Sequence, residues 1–276
     1  GTVVPEGTVV PEGTVVPDGT VVPVDDEHQS PAVLSLTAVP AGKGDCLVVD
    51  YVGDERVSHR IVIDGGLAAN YDDGFGAYAS VYGTNGVVSA DVLVVTHIDA
   101  DHIGGAIKML ENGAVAASDV WFNGLEQVLA SRGVAQADEF SVLVPLERRN
   151  RIVEHRPMFV ASTGPLPVFS LPGGARCTLL SPDGRGIDRL AKLWQNHADR
   201  GDLGGPDSIL EAFACGEPEE TRGDKFGHDS SVPNGSSIAF LLEHHGRALL
   251  LTGDAHADVL QRSLERLLEQ RRAQRL

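Results

Sequence analysis

Residues 91–105 read Asp91-Val-Leu-Val-Val-Thr96-His97-Ile-Asp99-Ala-Asp101-His102-Ile-Gly104-Gly105, and this stretch decides how the chain folds. Its opening apolar run is rich in β-branched valine, which predicts a strand that is buried on both faces of a sheet and ends at His97. Four side chains that commonly bind metals follow within six positions: His97, Asp99, Asp101 and His102. Ionisable groups packed so closely need a neutralising partner, and one or two divalent cations would supply it. The alternative is a polar loop facing water.

The two glycines that close the stretch predict a close approach of the backbone to this cluster, because glycine has no Cβ to obstruct it. A helix is then predicted from about residue 106. The ligand side chains would therefore be held between a rigid strand and the first turn of a helix.

The segment from Thr96 to Gly105 resembles the metal-binding loop of the metallo-β-lactamase superfamily. It is most similar to the branch in which Asp replaces the second His of the usual His-x-His-x-Asp-His pattern, as in the hydrolase-like domain of ComEC DNA-uptake proteins. The resemblance implies an α/β fold, namely a four-layer αββα sandwich of the metallo-β-lactamase type. Its C-terminal half would be incomplete, since a family member would continue into further strands and a last ligand His beyond Leu276.

A second block near the end of the chain supports the same resemblance. Apolar runs at 238–242 and 248–251 flank His244-His245-Gly246, which predicts a hairpin from the centre of a sheet. The following Leu251-Thr-Gly-Asp254-Ala resembles the motif whose Asp bridges both metals. The preceding Asn234-Gly-Ser-Ser237-Ile matches the same branch, so Asn234 and Ser237 are candidate residues on the substrate side. His256 is interpreted as the start of a helix.

Other candidates lie at the ends of further predicted strands. For Asp64, in Ile63-Asp64-Gly65-Gly66, the resemblance implies an outer carboxylate beside the metals that orients a ligand His, and the alternative is a turn residue. Ser181 occupies the position where the resemblance would place a third ligand, His. His197 and His228 could replace that ligand or be solvated loop residues. Lys43 and Asp45 are interpreted as ordinary turn residues.

Composition limits the function classes. A chain of 276 residues with 42% hydrophobic content can bury a large core, and its net charge of -17 argues against a broad nucleic-acid surface or an anionic membrane surface. Bound cations could still reverse the sign locally. The three cysteines, Cys46, Cys177 and Cys215, form no Cys-x-x-Cys pair. They are predicted to be small buried apolar residues, which suits a reducing cytoplasm without a membrane span.

The chain is predicted to have two parts. Residues 1–24 are four copies of a hexapeptide based on Gly-Thr-Val-Val-Pro-Glu. The repeats and the charged linker that follows them form residues 1–30, which are predicted to be a flexible arm. The alternative is a segment that pairs with the edge of a sheet. Residues 31–276 form the metallo-β-lactamase-like domain. Its last helix would pack on the sheet through one apolar face, which consists of Leu260, Leu264, Leu267 and Leu268.

The resemblance implies a metal-dependent hydrolase that uses a metal-bound hydroxide, with a phosphodiester in nucleic acid or a nucleotide as substrate. His97 and Asp99 would bind the first metal and His102 the second. Asp254 would bind both, and Asp101 would be the catalytic residue while also binding the second metal. Two zinc ions are expected, with manganese or iron as alternatives. Alternative functions are a lactone or lactam hydrolase, a non-catalytic metal-binding module, or an interaction protein that docks through the arm. The oligomeric state is left open.

Overall fold

The computed structural model describes residues 34–124, 127–128, 143–200 and 229–274, with side chains described throughout except at 146 and 197–200. The repeat arm and linker at 1–30, His228 and Cys215 lie outside these residues, and so does the side chain of His197. The predictions made for them are therefore not addressed by the structure.

The first sheet has five strands in the order β1-β2-β3-β4-β5. They are β1 (Leu34–Ala38), β2 (Leu47–Val52), β3 (Ser58–Ile63), β4 (Val88–Val94) and β5 (Val115–Trp121). The pairs β1–β2 and β2–β3 are antiparallel, which confirms the predicted antiparallel start, whereas β3–β4 and β4–β5 are parallel. The carboxyl ends of β3, β4 and β5 consequently lie at the same edge of the sheet.

The second sheet is antiparallel, in the order β6-β7-β8-β9. Its strands are β6 (Val168–Ser170), β7 (Arg176–Ser181), β8 (Ala239–His244) and β9 (Arg247–Leu251). The predicted hairpin around His245 is present, but its position was wrong. Of the two hairpin strands, β8 is interior and β9 lies at the edge of the sheet as described. This difference depends on which strands pair with each other, and a local sequence pattern does not reveal that.

Helices cover the outer faces of both sheets. They are α1 (Ala77–Tyr82), α2 (Ala100–Glu111), α3 (Gly184–Arg200), the single turn α4 (Val232–Gly235) and α5 (Ala257–Ala273). The prediction that a helix begins near residue 106 was wrong, because α2 begins at Ala100. No helix among the residues described here combines the length and the apolar character that crossing a bilayer would require.

The side-chain alternation of the strands separates two cores. Val49, Ile61 and Val94 of the first sheet pack with Phe240 and Leu242 of the second in a core between the sheets. The opposite face of the first sheet packs against α1, α2 and α3 through a second core, which includes Val48, Val62, Leu93, Ala79, Ile107 and Trp194. β4 thus contributes to both cores, which confirms a strand buried on both faces.

The fourth layer is α5, which packs on the outer side of β7. The Ser263 hydroxyl donates a hydrogen bond of 2.7 Å to the carbonyl of Leu180, and Leu267 is buried. Leu268 was predicted to share this apolar face but is 55% exposed. The layer order helix, sheet, sheet, helix confirms the predicted α/β sandwich.

Candidate metal centre

The candidate centre lies where β4 ends and α2 begins. Thr96 and His97 are buried directly after the strand. Asp99 is the N-cap residue of α2, and its carbonyl accepts hydrogen bonds from the backbone N–H groups of His102 and Ile103. The Asp99 side chain makes no capping hydrogen bond, and its carboxylate lies 3.5 Å from Nε2 of His97. The short connection therefore brings two imidazoles and one carboxylate to the same end of the sheet.

Asp254 reaches the centre from the second sheet, in the turn between β9 and α5. Its Oδ2 lies 3.6 Å from Nε2 of His102. Gly253, the residue before it, has a φ of +45°, and a Cβ there would lie 2.7 Å from the Ser237 hydroxyl oxygen and 3.2 Å from Cβ of Thr96. Only glycine fits this turn without strain, and the tight turn places the Asp254 carboxylate beside the imidazoles.

Three side chains converge to metal-binding distance. Ligand atoms of His97, His102 and Asp254 all lie within 4.8 Å of one another, and the two imidazole rings are 4.2 Å apart at their centroids. Both histidines are 2% exposed, whereas the Asp254 side chain is 44% exposed. The centre thus has a buried floor of nitrogen ligands and one carboxylate on its open side.

The tautomer of His97 follows from its neighbour. The Thr96 hydroxyl donates its one hydrogen to Oδ2 of Asp64, at 2.7 Å, so it can only accept from Nδ1 of His97, at 2.9 Å. His97 therefore carries its hydrogen on Nδ1 and has a lone pair on Nε2. That Nε2 is buried and has no hydrogen-bond partner among the described residues. A buried nitrogen lone pair left open is costly unless something binds it.

The second imidazole is oriented by Asp64, which is fully buried at the end of β3. Its carboxylate accepts hydrogen bonds from the Thr96 N–H at 2.7 Å and from Nδ1 of His102 at 2.8 Å, in addition to the Thr96 hydroxyl. The φ of Asp64 is +55°, an uncommon conformation that Asp tolerates better than most residues. One carboxylate thus fixes both imidazoles, one directly and one through Thr96, and turns both Nε2 atoms toward the centre.

The charges at the centre are strongly coupled. Burial lowers the pKa of His102, but the contacts and charges of Asp254 and Asp64 outweigh burial and raise that pKa to about 11. The contact with His102 in turn lowers the pKa of Asp254, against a smaller opposing effect of burial. A positive charge between these two carboxylates is therefore strongly favoured. A divalent cation on the Nε2 atoms would meet the same demand, so the residues fit a metal.

The remaining predicted residues are distributed around this group of three. Asp99 contacts His97 but lies outside the group, and Asp101 is half-buried in the first turn of α2, also outside it. Asn234 donates a hydrogen bond of 2.9 Å to Asp229. Ser237 is fully buried next to Gly253.

The structure also describes Ser181 and His256, two further residues that the sequence analysis named. Ser181 is fully buried at the end of β7, and its hydroxyl has no hydrogen-bond partner among the described residues. His256 is the N-cap residue of α5, in agreement with the predicted helix start. Its Nε2 lies 2.9 Å from the carbonyl of Ser231 rather than in the centre.

Two residues at the centre were missed by the sequence analysis. Thr96 links His97 to Asp64 through its hydroxyl, although it was quoted only as part of the motif. Asp45, interpreted as a turn residue, is half-buried and lies within the electrostatic reach of all three members of the group. Burial raises the pKa of Asp45, the charge of His102 opposes that change, and Asp64 and Asp254 add to it. The glycines beside Asp45, Gly42 and Gly44, both have positive φ and were the available signal of a constrained loop.

Comparison with known proteins leaves the family open. A scan against models of protein families finds no match, and neither does a search of curated proteins. Among solved structures, the chain is similar to a Cronobacter sakazakii protein described as a metallo-beta-lactamase with a HARLDQ motif. The two are 13% identical, the match covers 82% of this chain and 69% of that one, and the TM-score is 0.35. A TM-score of that size does not establish a shared fold, so the architecture given above rests on this chain's own strand order and layers.

Proposed function

We propose that this chain is a metal-dependent hydrolase whose centre is built on His97, His102 and Asp254. The observation that carries the proposal is the orientation of the two buried imidazoles. Each has its Nδ1 bound from behind, by Thr96 or Asp64, and each turns Nε2 toward the same carboxylate. In addition, Nε2 of His97 is buried without a hydrogen-bond partner among the described residues, whereas a histidine that only fills a core would have both nitrogens satisfied by the protein.

The donor set suits a divalent cation with mixed nitrogen and oxygen ligands, and we propose zinc, with manganese or iron as alternatives. Such a cation, when bound, lowers the pKa of a coordinated water and so supplies a nucleophile near neutral pH. Asp64 holds His102 in the tautomer that can bind. Asp99, whose carboxylate lies 3.5 Å from Nε2 of His97, is proposed as a further ligand beside His97. Asp101 is proposed as a ligand of a second cation and as the residue that orients the attacking water.

The proposed substrate class is a phosphodiester, in nucleic acid or a nucleotide. Support for it comes from the similarity of the 96–105 and 234–255 motifs to one branch of the metallo-β-lactamase superfamily. The net charge of -17 disfavours a long nucleic-acid footprint, so a short or nucleotide-sized substrate fits better. A lactone or lactam is the alternative substrate, because the nucleophile that a bound cation would supply suits a carbonyl carbon as well as phosphorus.

The test begins with metal analysis of the purified full-length chain, followed by turnover of bis-p-nitrophenyl phosphate, a lactone and a β-lactam. We expect about two equivalents of metal and hydrolysis of the phosphodiester. Asp101→Ala should lose essentially all turnover while the fold survives, and His97→Ala should lose the metal as well. Asp50→Asn is the matched control, since Asp50 pairs with Arg60 at 2.6 Å on the same sheet. Full turnover in Asp101→Ala would remove the catalytic assignment.

A non-catalytic metal-binding module is the second candidate function. It is favoured by one observation, namely that within the described part of the chain only three ligand side chains converge, while a serine, Ser181, occupies the position where the resembling family has His. This candidate requires about one equivalent of tightly bound metal or none, and no turnover of any of the three substrates. Metal content and turnover measured on one preparation therefore separate the two functions.

A further inference from the structure

We infer that Asp45 is an additional oxygen ligand of the same centre, reaching the cation directly or through one water. This inference rests on the proposed function, because it concerns the metal that His97, His102 and Asp254 would hold. Asp45 lies in the loop between β1 and β2, in a part of the sequence that the metal-binding motifs do not include.

The loop is pressed against the first turn of α2. A Cβ at Gly44 would overlap the carbonyl oxygen of Asp101 and would lie 3.0 Å from its Cβ. The main chain before Asp45 therefore runs in direct contact with the helical turn that carries His102. Gly44 has a φ of +75°, so its glycine is required both by space and by conformation. This contact fixes the point from which the Asp45 side chain starts.

The surroundings of the Asp45 carboxylate are those of the centre. The charged groups that act on it are His102, Asp64, Asp254 and His97. Its carboxylate has no hydrogen bond or ion pair within the described part of the chain. Other half-buried carboxylates of this sheet do have partners, since Asp50 pairs with Arg60 and Asp91 accepts from the Arg60 N–H. Asp45 is thus a half-buried acid within electrostatic reach of the centre, and among the described residues its carboxylate has no hydrogen-bond or ion-pair partner.

The number of ligands and the balance of charge both leave room for Asp45 at a bound cation. A catalytic zinc site has three protein ligands and a water in the fourth position and can expand to five ligands, so the group of three can accept one more oxygen, directly or through that water. Asp45, Asp64 and Asp254 bring three carboxylates near two imidazoles, an excess of negative charge that a divalent ion would balance. Nε2 of His97, which is buried and has no hydrogen-bond partner among the described residues, independently indicates a ligand at this place. Asp45 lies outside the 4.8 Å group, so a side-chain rotation or a bridging water completes its contact.

The experiment compares Asp45→Asn with Asp50→Asn in the full chain. Each protein is stripped of metal and titrated with Zn²⁺ by calorimetry and with Mn²⁺ by electron paramagnetic resonance. Asp45→Asn should weaken the binding of metal 10- to 100-fold and change the Mn²⁺ spectrum, a range typical of changes around a metal site. Asp50→Asn should stay within twofold of the wild type. Circular dichroism verifies folding, and Asp45→Ser is used instead if the amide variant does not fold.

Two failures can be told apart. If the wild type binds neither Zn²⁺ nor Mn²⁺, the proposed function itself is wrong. If the wild type binds metal and Asp45→Asn binds it within twofold with an unchanged Mn²⁺ spectrum, the proposed function stands and the role of Asp45 is overturned. An equal loss of affinity in Asp45→Asn and Asp50→Asn also overturns it, since the effect would then be a general one of surface charge.

Discussion

Replacing Asp64 by Asn tests whether one buried carboxylate sets the state of both imidazoles. The change keeps the size of the side chain, and Asn tolerates the φ of +55° about as well as Asp. If the amide oxygen stays on the Thr96 N–H, the NH₂ group faces the Thr96 hydroxyl and Nδ1 of His102. Neither can then donate to residue 64. His102 must adopt the other tautomer, with its hydrogen on Nε2, where the ligand lone pair is needed.

The magnitude follows from the hydrogen bonds lost. Metal affinity should fall 10- to 100-fold, as is common when the partner behind a ligand His is changed, or about 1.4 to 2.7 kcal/mol. Stability without metal should also fall. Two hydrogen bonds to a charged acceptor contribute about 1.5–3 kcal/mol each, and new donation from the amide restores part of that. The net expectation is a loss of about 2 to 4 kcal/mol in the free energy of unfolding.

The assay is calorimetric titration of the stripped protein with Zn²⁺, together with urea unfolding followed by circular dichroism. Asp50→Asn is again the control. Its partner Arg60 is partly exposed, so its loss should cost no more than about 1 kcal/mol and leave metal affinity unchanged. A folded Asp64→Asn protein that binds Zn²⁺ as tightly as the wild type would refute the idea that Asp64 controls the imidazole tautomer.

Three further predictions concern protons, packing and thiols. Because the pKa of His102 is raised to about 11, a cation must displace the proton of the His102 side chain. Metal affinity should therefore rise with pH, and about one proton should be released per metal bound, as measured by calorimetry in buffers of different ionisation enthalpy. A pH-independent affinity would contradict this. In the metal-free protein, the stabilisation from the raised pKa of His102 is complete below about pH 6.5, the pKa of His in the unfolded chain, and is lost as the pH rises toward 11. The urea concentration at the midpoint of unfolding should therefore fall at alkaline pH. Gly105→Ala should lower the free energy of unfolding in urea by about 1–3 kcal/mol, because the new Cβ would overlap the Gly65 carbonyl. Gly184→Ala is the control and should be near neutral, because a Cβ there would make only an ordinary contact at 3.9 Å. Equal losses in the two variants would refute the packing argument. Cys46 and Cys177 are buried, and burial raises the pKa of the Cys46 thiol to about 12. In a Cys215→Ser chain, neither of these two cysteines should react with a disulfide reagent at pH 8 until urea is added. Rapid labelling of the native chain would contradict their burial.

The sequence predicted the parts of the fold that depend on local patterning. The side chains of the valine-rich run before Thr96 alternate between two cores, and the unbroken series of apolar residue types predicts that both faces are buried. The hairpin at His245 and the apolar face of α5 were predicted for similar reasons. The prediction failed for Leu268, which was assigned to that apolar face but is 55% exposed.

The start of α2 could not be predicted from the same signals. Gly104 and Gly105 were interpreted as a loop before the helix, since glycine disfavours helix interiors. In the structure they lie within α2, where Gly105 meets Gly65 and Gly104 meets Ala68. The glycines are explained by a contact between α2 and the chain after β3, and that contact belongs to the tertiary structure.

The candidate centre divides in the same way. The ligand types at 97, 102 and 254 were recognisable because metal-binding side chains follow apolar runs. The separate contributions of Thr96 and Asp45 were not recognisable from the sequence, because each depends on a residue that is distant along the chain but close in the fold. Thr96 matters only because Asp64 accepts from it, and Asp45 only because its loop lies on α2. Spacing along a chain cannot express such pairings.

The ligands come from both halves of the sandwich, with His97 and His102 after β4 of one sheet and Asp254 after β9 of the other. An ion held there would link the two halves of the sandwich. At a free concentration one hundred times its dissociation constant, the ion would raise the free energy of unfolding by about 2.7 kcal/mol. During synthesis the imidazoles leave the ribosome long before Asp254. A growing chain could thus form this link only after β9 and the turn that carries Asp254 have been made.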